Sequence, residues 1–244
     1  MVITGAVLLA LTAFVVVEVL IIKYNGTPVP EPHIPRQAQT AGSGSPLSYV
    51  VLGDSTAVAQ GAAYDQGYAV GSWKYLAERY EVTMVNLGVS GATVQTVYED
   101  QVPKAADLKP DVVLLSAGAN DATHFTRRAT VQTFLQKIID DLKRANPDVR
   151  IVVTRSPAMD SVSRFPIGAR QLLGLRTRQI NDAYAPLIAR NNLFVAPIAE
   201  RTRAAFLADT SLTASDKFHP SARGYALWTP VINEALDAAL ATRR

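Results

Sequence analysis

Five short apolar runs, rich in β-branched residues, alternate with longer amphipathic stretches through most of this chain. The runs are YVVL (49–52), TMVNL (83–87), VVLLSA (112–117), IVVTRS (151–156) and LFVAP (193–197). Each run is apolar almost continuously rather than at every second position, which indicates strands buried on both faces. Such strands form parallel sheets that are covered by helices, so this pattern predicts an α/β fold.

The stretches between the runs have the apolar spacing of amphipathic helices. We predict these helices at residues 72–80, 93–106, 130–145, 171–190 and 221–242. With right-handed crossovers, alternating strands and helices predict a three-layer, doubly wound domain with a five-stranded parallel sheet. The 244-residue chain is long enough for one such domain, here residues 47–244, with an appendage.

The appendage is N-terminal and apolar. The segment from Val2 to Ile22 has Glu18 as its only charged residue. A helix of that length, at about 1.5 Å per residue, spans roughly one hydrocarbon core. We therefore expect residues 1–23 to form one transmembrane helix, or an uncleaved signal. A cleaved signal peptide is the alternative, but the segment lacks the basic n-region and small-x-small site of such peptides.

The composition of residues 24–46 predicts a linker. The stretch PVPEPHIP (28–35) is typical of a semi-rigid, proline-rich segment, and AGSGSP (41–46) is typical of a flexible segment. The expected arrangement is a single-pass membrane protein whose folded domain is held away from the bilayer. Lys23 and Arg36 follow the span and weakly favour a cytoplasmic domain, but long domains are translocated despite so small a bias. We expect an extracytoplasmic catalytic domain.

Charge and composition exclude several classes of function. The net charge is +3, and the basic residues are scattered among acidic ones, so no nucleic-acid partner is expected. The chain contains no cysteine, which excludes disulfides, thiolate metal sites and a cysteine nucleophile. No set of histidines and carboxylates has the spacing of metal ligands, so we predict no metal site.

Residues capable of chemistry follow four of the five predicted strands. Gly53-Asp54-Ser55 follows the first strand, Gly88 the second, and Gly118-Ala119-Asn120-Asp121 the third, while Asp216 and His219 come after the fifth and a connecting segment. Ligands bind to doubly wound sheets at the carboxyl ends of the strands. The four segments are therefore predicted to meet in one site.

The residue types in these segments suit nucleophilic catalysis. A serine hydroxyl needs a base within hydrogen-bond reach and a group that orients the base. Ser55 is the candidate nucleophile, His219 the candidate base, and Asp216, three residues earlier, the group that orients it. Ser221 is a plausible cap for the last helix and would fix the loop of His219.

An oxyanion that forms beside Ser55 would need hydrogen-bond donors. The candidates are the backbone N–H groups of Ser55 and Gly88 and the side-chain amide of Asn120. A glycine suits such a position because no Cβ blocks the approach of its N–H to a ligand.

Each segment also has a structural interpretation. Asp54 can bond to local backbone in a turn after the strand, and this is the role we expect for it. Asn120 and Asp121 could cap a helix, and the Asp216–His219 pair could be a surface loop. His124 is a rival base on the same edge of the sheet, although no carboxylate lies three residues before it.

The four segments together resemble those of the SGNH, or GDSL-type, serine hydrolases, over residues 48–242. Gly53, Asp54 and Ser55 match the Gly-Asp-Ser motif, Gly88 the second-block glycine, Gly118, Asn120 and Asp121 the Gly-x-Asn-Asp motif, and Asp216 and His219 the Asp-x-x-His-Pro motif. The resemblance implies a flavodoxin-like sheet, no cofactor, and hydrolysis of carboxylic esters through an acyl-enzyme. There is no G-x-S-x-G elbow around Ser55 and no nucleotide-binding glycine motif after the first strand.

We therefore expect a serine esterase that acts on a small-molecule, lipid or acylated-glycan ester. One alternative is an acyltransferase that moves an acyl group to or from an envelope sugar or lipid; another is a non-catalytic, membrane-tethered binding module. The segment 157–175, with Met159, Phe165, Leu172 and Leu173, is expected either to roof an acyl pocket or to dock on the core.

Overall fold

The computed structural model describes residues 2–241. In that range the strands are β1 (Gln39–Ala41), β2 (Ser45–Gly53), β3 (Tyr80–Asn86), β4 (Val112–Ser116), β5 (Arg150–Val153) and β6 (Phe194–Val195). The helices are α1 (Val2–Tyr24), α2 (Tyr68–Ala77), α3 (Val94–Thr96), α4 (Val102–Leu108), α5 (Ala119–Thr123), α6 (Arg128–Ala145), α7 (Ile167–Asn191), α8 (Ile198–Ala208) and α9 (Ala222–Leu240). A π-helical turn at 97–101 joins α3 to α4.

The strands form one mixed sheet in the order β1-β3-β2-β4-β5-β6. Strands β2 to β6 pair in parallel, and β1, at the edge of the sheet, pairs antiparallel with β3. The predicted sheet of five parallel strands is therefore wrong: it has a sixth, antiparallel strand. Because β1 is only three residues long and pairs through backbone groups, it leaves no apolar pattern in the sequence. The parallel strands do have a flavodoxin-like order, with the switch point beside β2.

Alternate residues of the central strands enter two separate cores. Val50 and Leu52 of β2 pack in the cluster formed with α6 and α7, whereas Tyr49 and Val51 pack in the cluster formed with α2 and α9. All four side chains are completely buried. Both faces of the strand are thus covered, which explains the continuous apolar runs and gives the three layers that the sequence predicts.

The N-terminal helix differs from its prediction. Within residues 2–241, no helix combines the length and the apolar character that membrane crossing requires. The predicted single-pass anchor is therefore wrong, and so is the membrane-anchored localisation that was expected from it. In α1 the Glu18 carboxylate accepts hydrogen bonds from the N–H groups of Gly168, at 3.2 Å, and Ala169, at 2.9 Å. The Glu18 carboxylate thus caps the N-terminus of α7, where a negative charge is favourable.

Residues 25–36, which we call the strap, contact the domain at both ends. At one end Asn25 Nδ2 donates hydrogen bonds to the carbonyl oxygens of Ser163 and Arg164, at 3.0 and 2.9 Å. At the other end the Arg36 guanidinium donates to the carbonyl oxygen of Gly88, at 2.8 Å. Ile34, near that end, is buried. The segment that was predicted as a linker therefore runs along the domain between two loops.

The strap also packs directly on the loop that holds Asp216. The N–H of Thr27 donates to the carbonyl oxygen of Ser215, at 2.8 Å. Gly26 has a φ of +101°, and a Cβ at this position would lie 2.4 Å from the carbonyl oxygen of Asp216. Only glycine combines that backbone conformation with so close an approach.

Candidate active site

Ser55 lies in a turn at the carboxyl end of β2, and its side chain is largely buried, with 7% of the residue exposed. Asp54 shapes this turn, because its Oδ1 accepts hydrogen bonds from the N–H and the hydroxyl of Thr56, at 2.9 and 2.8 Å. Burial raises the pKa of the Asp54 carboxyl, and the two hydrogen bonds from Thr56 act in the opposite direction. The turn role expected for Asp54 is the one observed.

The loop before α9 places His219 against Ser55. It is closed by a bridge between Thr213 and Pro220 and by a hydrogen bond from the N–H of Ala214 to the carbonyl oxygen of His219, at 2.8 Å. Ser221 follows as the N-cap of α9, and its side chain accepts from the N–H of Gly224. The predicted cap is confirmed, and it anchors the end of the loop.

Ser55, His219 and Asp216 form one hydrogen-bonded chain. His219 Nε2 lies 2.9 Å from Ser55 Oγ. Its other ring nitrogen, Nδ1, lies 2.5 Å from Asp216 Oδ2. Asp216 Oδ1 accepts from the N–H groups of Phe218, at 2.9 Å, and His219, at 3.0 Å. This geometry can orient the imidazole so that Nε2 accepts the proton of the serine hydroxyl.

The environment of Asp216 favours its ionised form. Desolvation by burial acts to raise the pKa of this carboxyl. The hydrogen bonds from the His219 ring and from the backbone N–H groups of Phe218 and His219, together with the attraction to His219, outweigh that effect and lower the pKa. An ionised carboxylate at this position holds a proton on Nδ1 and leaves Nε2 free to act as a base.

The three candidate oxyanion donors differ in availability. The N–H of Ser55 donates to no acceptor within residues 2–241. Asn120 lines the same cavity as Ser55 and uses one N–H to bond the carbonyl oxygen of Ala92, at 3.0 Å, so its second N–H remains. The N–H of Gly88 instead donates to Asn86 Oδ1, at 3.0 Å. Gly88 N–H is thus engaged within its own loop.

The remaining predicted residues support the loop after β4. Gly118 precedes α5 with a φ of +128°, and Asp121 Oδ2 accepts from the N–H of Val94, at 2.9 Å. Burial raises the pKa of the Asp121 carboxyl, and the hydrogen bond from Val94 opposes this effect. His124 is exposed at the end of α5. The base that reaches Ser55 is His219.

A cavity opens beside Ser55 and is lined mainly by apolar side chains. The loop after β5 contributes Pro157, Ala158, Met159, Ser161 and Val162, and the C-terminal part of the chain contributes Thr202, Phe206, Thr213, Phe218, Pro220 and Trp228. Phe206 lies on α8 and Trp228 on α9, and sequence reasoning missed them because apolar residues at helical spacing resemble ordinary core residues.

The segment 157–175 contributes to this cavity only in part. Met159 lines it. Phe165 packs edge-on against Phe218, with ring centroids 5.8 Å apart, while Leu173 is buried in the core and Leu172 is exposed. Of the four apolar residues singled out in the sequence, one therefore faces the cavity and the other three lie elsewhere.

The fold and the hydrogen-bonded Ser-His-Asp chain are those of a hydrolase built on a flavodoxin-like sheet. The sequence model of the GDSL-like lipase/acylhydrolase family matches residues 51–227, which is more than half of the chain. The protein belongs to this family and is an enzyme, a hydrolase of the GDSL type. Esterase, lipase or acylhydrolase activity is thereby established at the level of the family.

Solved structures share the fold at low sequence identity. TesA aligns with a TM-score of 0.66 and 19% identity, over 79% of this chain and 99% of TesA. The esterase EstA from Pseudoalteromonas sp. aligns with a TM-score of 0.62 and 18% identity, over 80% of this chain and 99% of EstA. Phospholipase A1 from Streptomyces albidoflavus NA297 aligns with a TM-score of 0.63 and 19% identity, over 78% of this chain and 99% of the phospholipase. No curated protein sequence matches the chain.

Proposed function

We propose that this protein is a serine esterase that cleaves carboxylic esters through an acyl-enzyme on Ser55. The observation that carries the proposal is the 2.9 Å contact of Ser55 Oγ with His219 Nε2, with Asp216 on the other ring nitrogen at 2.5 Å. The hydrolase domain is residues 47–244, and the strap contributes contacts to it.

In the acylation step, Ser55 Oγ attacks the ester carbonyl while its proton moves to Nε2 of His219. The N–H of Ser55 and the free N–H of the Asn120 amide donate to the oxyanion that develops on the carbonyl oxygen. The C–O bond to the alcohol then breaks, and the proton on Nε2 moves to the departing oxygen. Asp216 stabilises the imidazolium throughout and is not itself protonated.

The deacylation step repeats this chemistry with water. His219 removes a proton from a water molecule, whose oxygen attacks the acyl carbon. The bond to Ser55 Oγ breaks, Ser55 recovers its proton from Nε2, and the carboxylic acid leaves. Gly88 becomes a third donor only if its N–H turns away from Asn86 Oδ1 or is shared with it. We therefore assign most of the stabilisation of the oxyanion to the N–H of Ser55 and the amide of Asn120.

The test uses the full-length chain and two measurements. Hydrolysis of p-nitrophenyl acetate reports the reaction, and labelling with a fluorophosphonate reports the reactivity of Ser55. We expect Ser55→Ala and His219→Ala each to lose about 1,000-fold or more in kcat and to lose labelling. Ser90→Ala and His124→Ala are the matched controls and should retain both. Full activity in Ser55→Ala, or its loss in His124→Ala, would contradict the assignment.

The two alternatives predict different results in the same assays. An acyltransferase would also label at Ser55, but added alcohols would take the acyl group in preference to water, which product analysis detects. A non-catalytic binding module would neither label nor hydrolyse. The contact between a serine hydroxyl and an oriented imidazole favours an enzyme, and we place hydrolysis before transfer because the family is one of lipases and acylhydrolases.

A further inference from the structure

We infer that this enzyme selects short, unsubstituted alkanoyl groups of roughly two to four carbon atoms, the size that the cavity beside Ser55 can hold. The inference rests on the proposed acyl-enzyme and specifies its acyl part.

The cavity is the place for the acyl group rather than for the alcohol. Ser55, Asn120 and His219 line it together with apolar side chains, so an acyl group on Ser55 Oγ has its carbonyl at the donors and its tail among those side chains. The lining is closely packed: Met159 is 2% exposed and Trp228 4% exposed. The leaving alcohol and the incoming water need an open path, whereas the acyl tail stays in place through both steps.

The volume of the cavity is about 40 Å³. An apolar cavity of about 150 Å³ in a protein interior binds benzene, so each carbon atom of a bound ligand needs roughly 25 Å³. A cavity of about 40 Å³ therefore holds about two carbon atoms. The carbonyl carbon remains at Ser55, and the cavity then accepts a tail of roughly one to three carbon atoms.

Packed aromatic rings hold one wall of the cavity in place. Phe206 on α8 and Trp228 on α9 have ring centroids 6.0 Å apart. Trp228 also packs on Tyr225, at 5.8 Å, and on Tyr68, at 6.3 Å. A longer acyl chain that stayed within the cavity would have to separate these rings, and forcing extra methylenes into a close-packed interior is unfavourable by about 1–3 kcal/mol.

The loop after β5 is tied to the neighbouring helices by polar contacts. Asp160 forms a two-pronged ion pair with Arg203 of α8, at 2.7 to 3.1 Å. Ser156 exchanges hydrogen bonds with the side chain of Asn181, at 2.9 and 3.1 Å. Because these contacts tie the loop to α7 and α8, Ala158 and Met159 cannot move aside without breaking them.

The chemistry of the lining explains why the tail should be unsubstituted. The hydroxyls of Ser161, Thr202 and Thr213 already donate to backbone carbonyls of Ala158, Ile198 and Thr210, at 2.6, 2.7 and 2.8 Å. No Asp, Glu, Lys or Arg is among the described residues that line the cavity. A carboxylate on the tail, as in a succinyl group, would lose its hydration there without gaining a cationic partner.

The experiment compares p-nitrophenyl acetate, butyrate, hexanoate and octanoate, together with p-nitrophenyl hydrogen succinate, on the full chain. We expect kcat/KM for the acetate and butyrate esters to exceed that for the octanoate ester by about 100-fold. The succinate ester should be a poor substrate, with a low kcat/KM. Phe206→Ala enlarges the cavity and should raise the octanoate-to-butyrate ratio of kcat/KM by about tenfold. Ala158→Leu fills the cavity and should lower the butyrate-to-acetate ratio of kcat/KM.

Phe134→Ala is the matched control, because Phe134 is a half-buried ring on α6 that packs on Tyr98, at 5.7 Å, and does not line the cavity. Its chain-length ratios should equal those of the wild type. Octanoate turnover equal to acetate turnover in the wild type would overturn the inference, as would an unchanged ratio in folded Phe206→Ala. Fluorophosphonate labelling of Ser55 separates these results from failure of the proposed function, in which neither labelling nor hydrolysis of any ester occurs.

Discussion

The guanidinium of Arg36 donates a 2.8 Å hydrogen bond to the carbonyl oxygen of Gly88, 52 residues away in the sequence. On the other side of the loop, the N–H of Gly88 is held by Asn86 Oδ1, at 3.0 Å. Both polar groups of Gly88 are therefore fixed, one of them by the strap. A residue outside the predicted hydrolase domain thus helps to position the loop after β3.

Arg36→Ala should lower kcat by about tenfold, because a small displacement of a loop at the active site has a large effect on rate. KM for p-nitrophenyl acetate should change little, since Arg36 does not line the acyl cavity. Steady-state kinetics measures both constants. Arg190→Ala, which removes an exposed arginine of α7, is the control and should match the wild type. An unchanged kcat in Arg36→Ala would show that the strap does not support the site.

Gly26→Ala should disturb the other end of the strap. Its Cβ would lie 2.4 Å from the carbonyl oxygen of Asp216, so either the strap or the catalytic loop must shift. Gly91→Ala is a close control, because Gly91 also has a positive φ, +82°, but a Cβ there meets nothing within 4 Å. Both variants carry the left-handed backbone penalty of about 1–2 kcal/mol, and only Gly26→Ala adds a clash.

Thermal unfolding and ester hydrolysis together test the Gly26 prediction. We expect the melting temperature of Gly26→Ala to fall about 3–8 °C below that of Gly91→Ala, with a lower kcat. Equal melting temperatures and equal rates in the two variants would mean that the contact between Gly26 and the Asp216 loop is dispensable.

The sequence predicts which candidate site residues lie together in the structure, but it does not predict the contacts of the N-terminal segment, and the reason is physical. The carboxyl ends of parallel strands meet at one edge, so Ser55 and Asn120 could be placed together from strand order alone. His219, far away in sequence, was predicted because serine chemistry requires a base. The structure brings all three to one cavity.

The strap could not be predicted, because its contacts use features that are typical of linkers. Thr27 binds the Ser215 carbonyl through its backbone N–H, and such a contact leaves no side-chain pattern in the sequence. A glycine such as Gly26 is compatible both with a flexible linker and with a close approach of the backbone to the Asp216 loop. In the sequence, Glu18 is simply the only charged residue of the segment that is expected to span a membrane. Its partners are backbone N–H groups of α7, and no pattern in the sequence identifies those.

Asp216→Asn should lower kcat by roughly 1,000- to 10,000-fold, because an amide can no longer hold the proton on Nδ1 of His219 in the required tautomer. The side chain keeps its size, so the fold should persist, and circular dichroism should show this. Asp65→Asn, at an exposed position in the turn before α2, is the control and should retain full activity. Retention of more than about a tenth of the rate in Asp216→Asn would contradict the proposed orienting role.

The lowered pKa of Asp216 also predicts how stability depends on pH. The folded protein binds this proton less readily than the unfolded chain, whose carboxyl has a pKa of 3.8. The stabilisation by ionised Asp216 is therefore fully present above that value and is lost as the pH falls through the lower pKa of the folded state. Urea unfolding at pH 7, 5, 4 and 3 should show wild type and Asp216→Asn converging only at the most acidic pH. A constant difference would contradict the shift.

Asn120 is the donor whose removal should separate binding from catalysis. Its side chain lines the cavity beside Ser55 and retains one N–H after bonding the carbonyl oxygen of Ala92, so it can donate to an oxyanion. Asn120→Ala should lower kcat by about 100- to 1,000-fold, the usual effect of losing one oxyanion donor, and should leave KM nearly unchanged.

The same substitution also breaks the bond to Ala92, and a matched variant separates that effect. Asn191 Nδ2 donates to the carbonyl oxygen of Leu187, likewise at 3.0 Å, but lies at the end of α7 and does not line the cavity. Asn191→Ala should therefore lose stability without losing kcat. If Asn120→Ala keeps its kcat while its melting temperature falls, Asn120 only braces the loop after β4. In that case, the N–H of Ser55 must act with the N–H of Gly88 once the latter is released from Asn86.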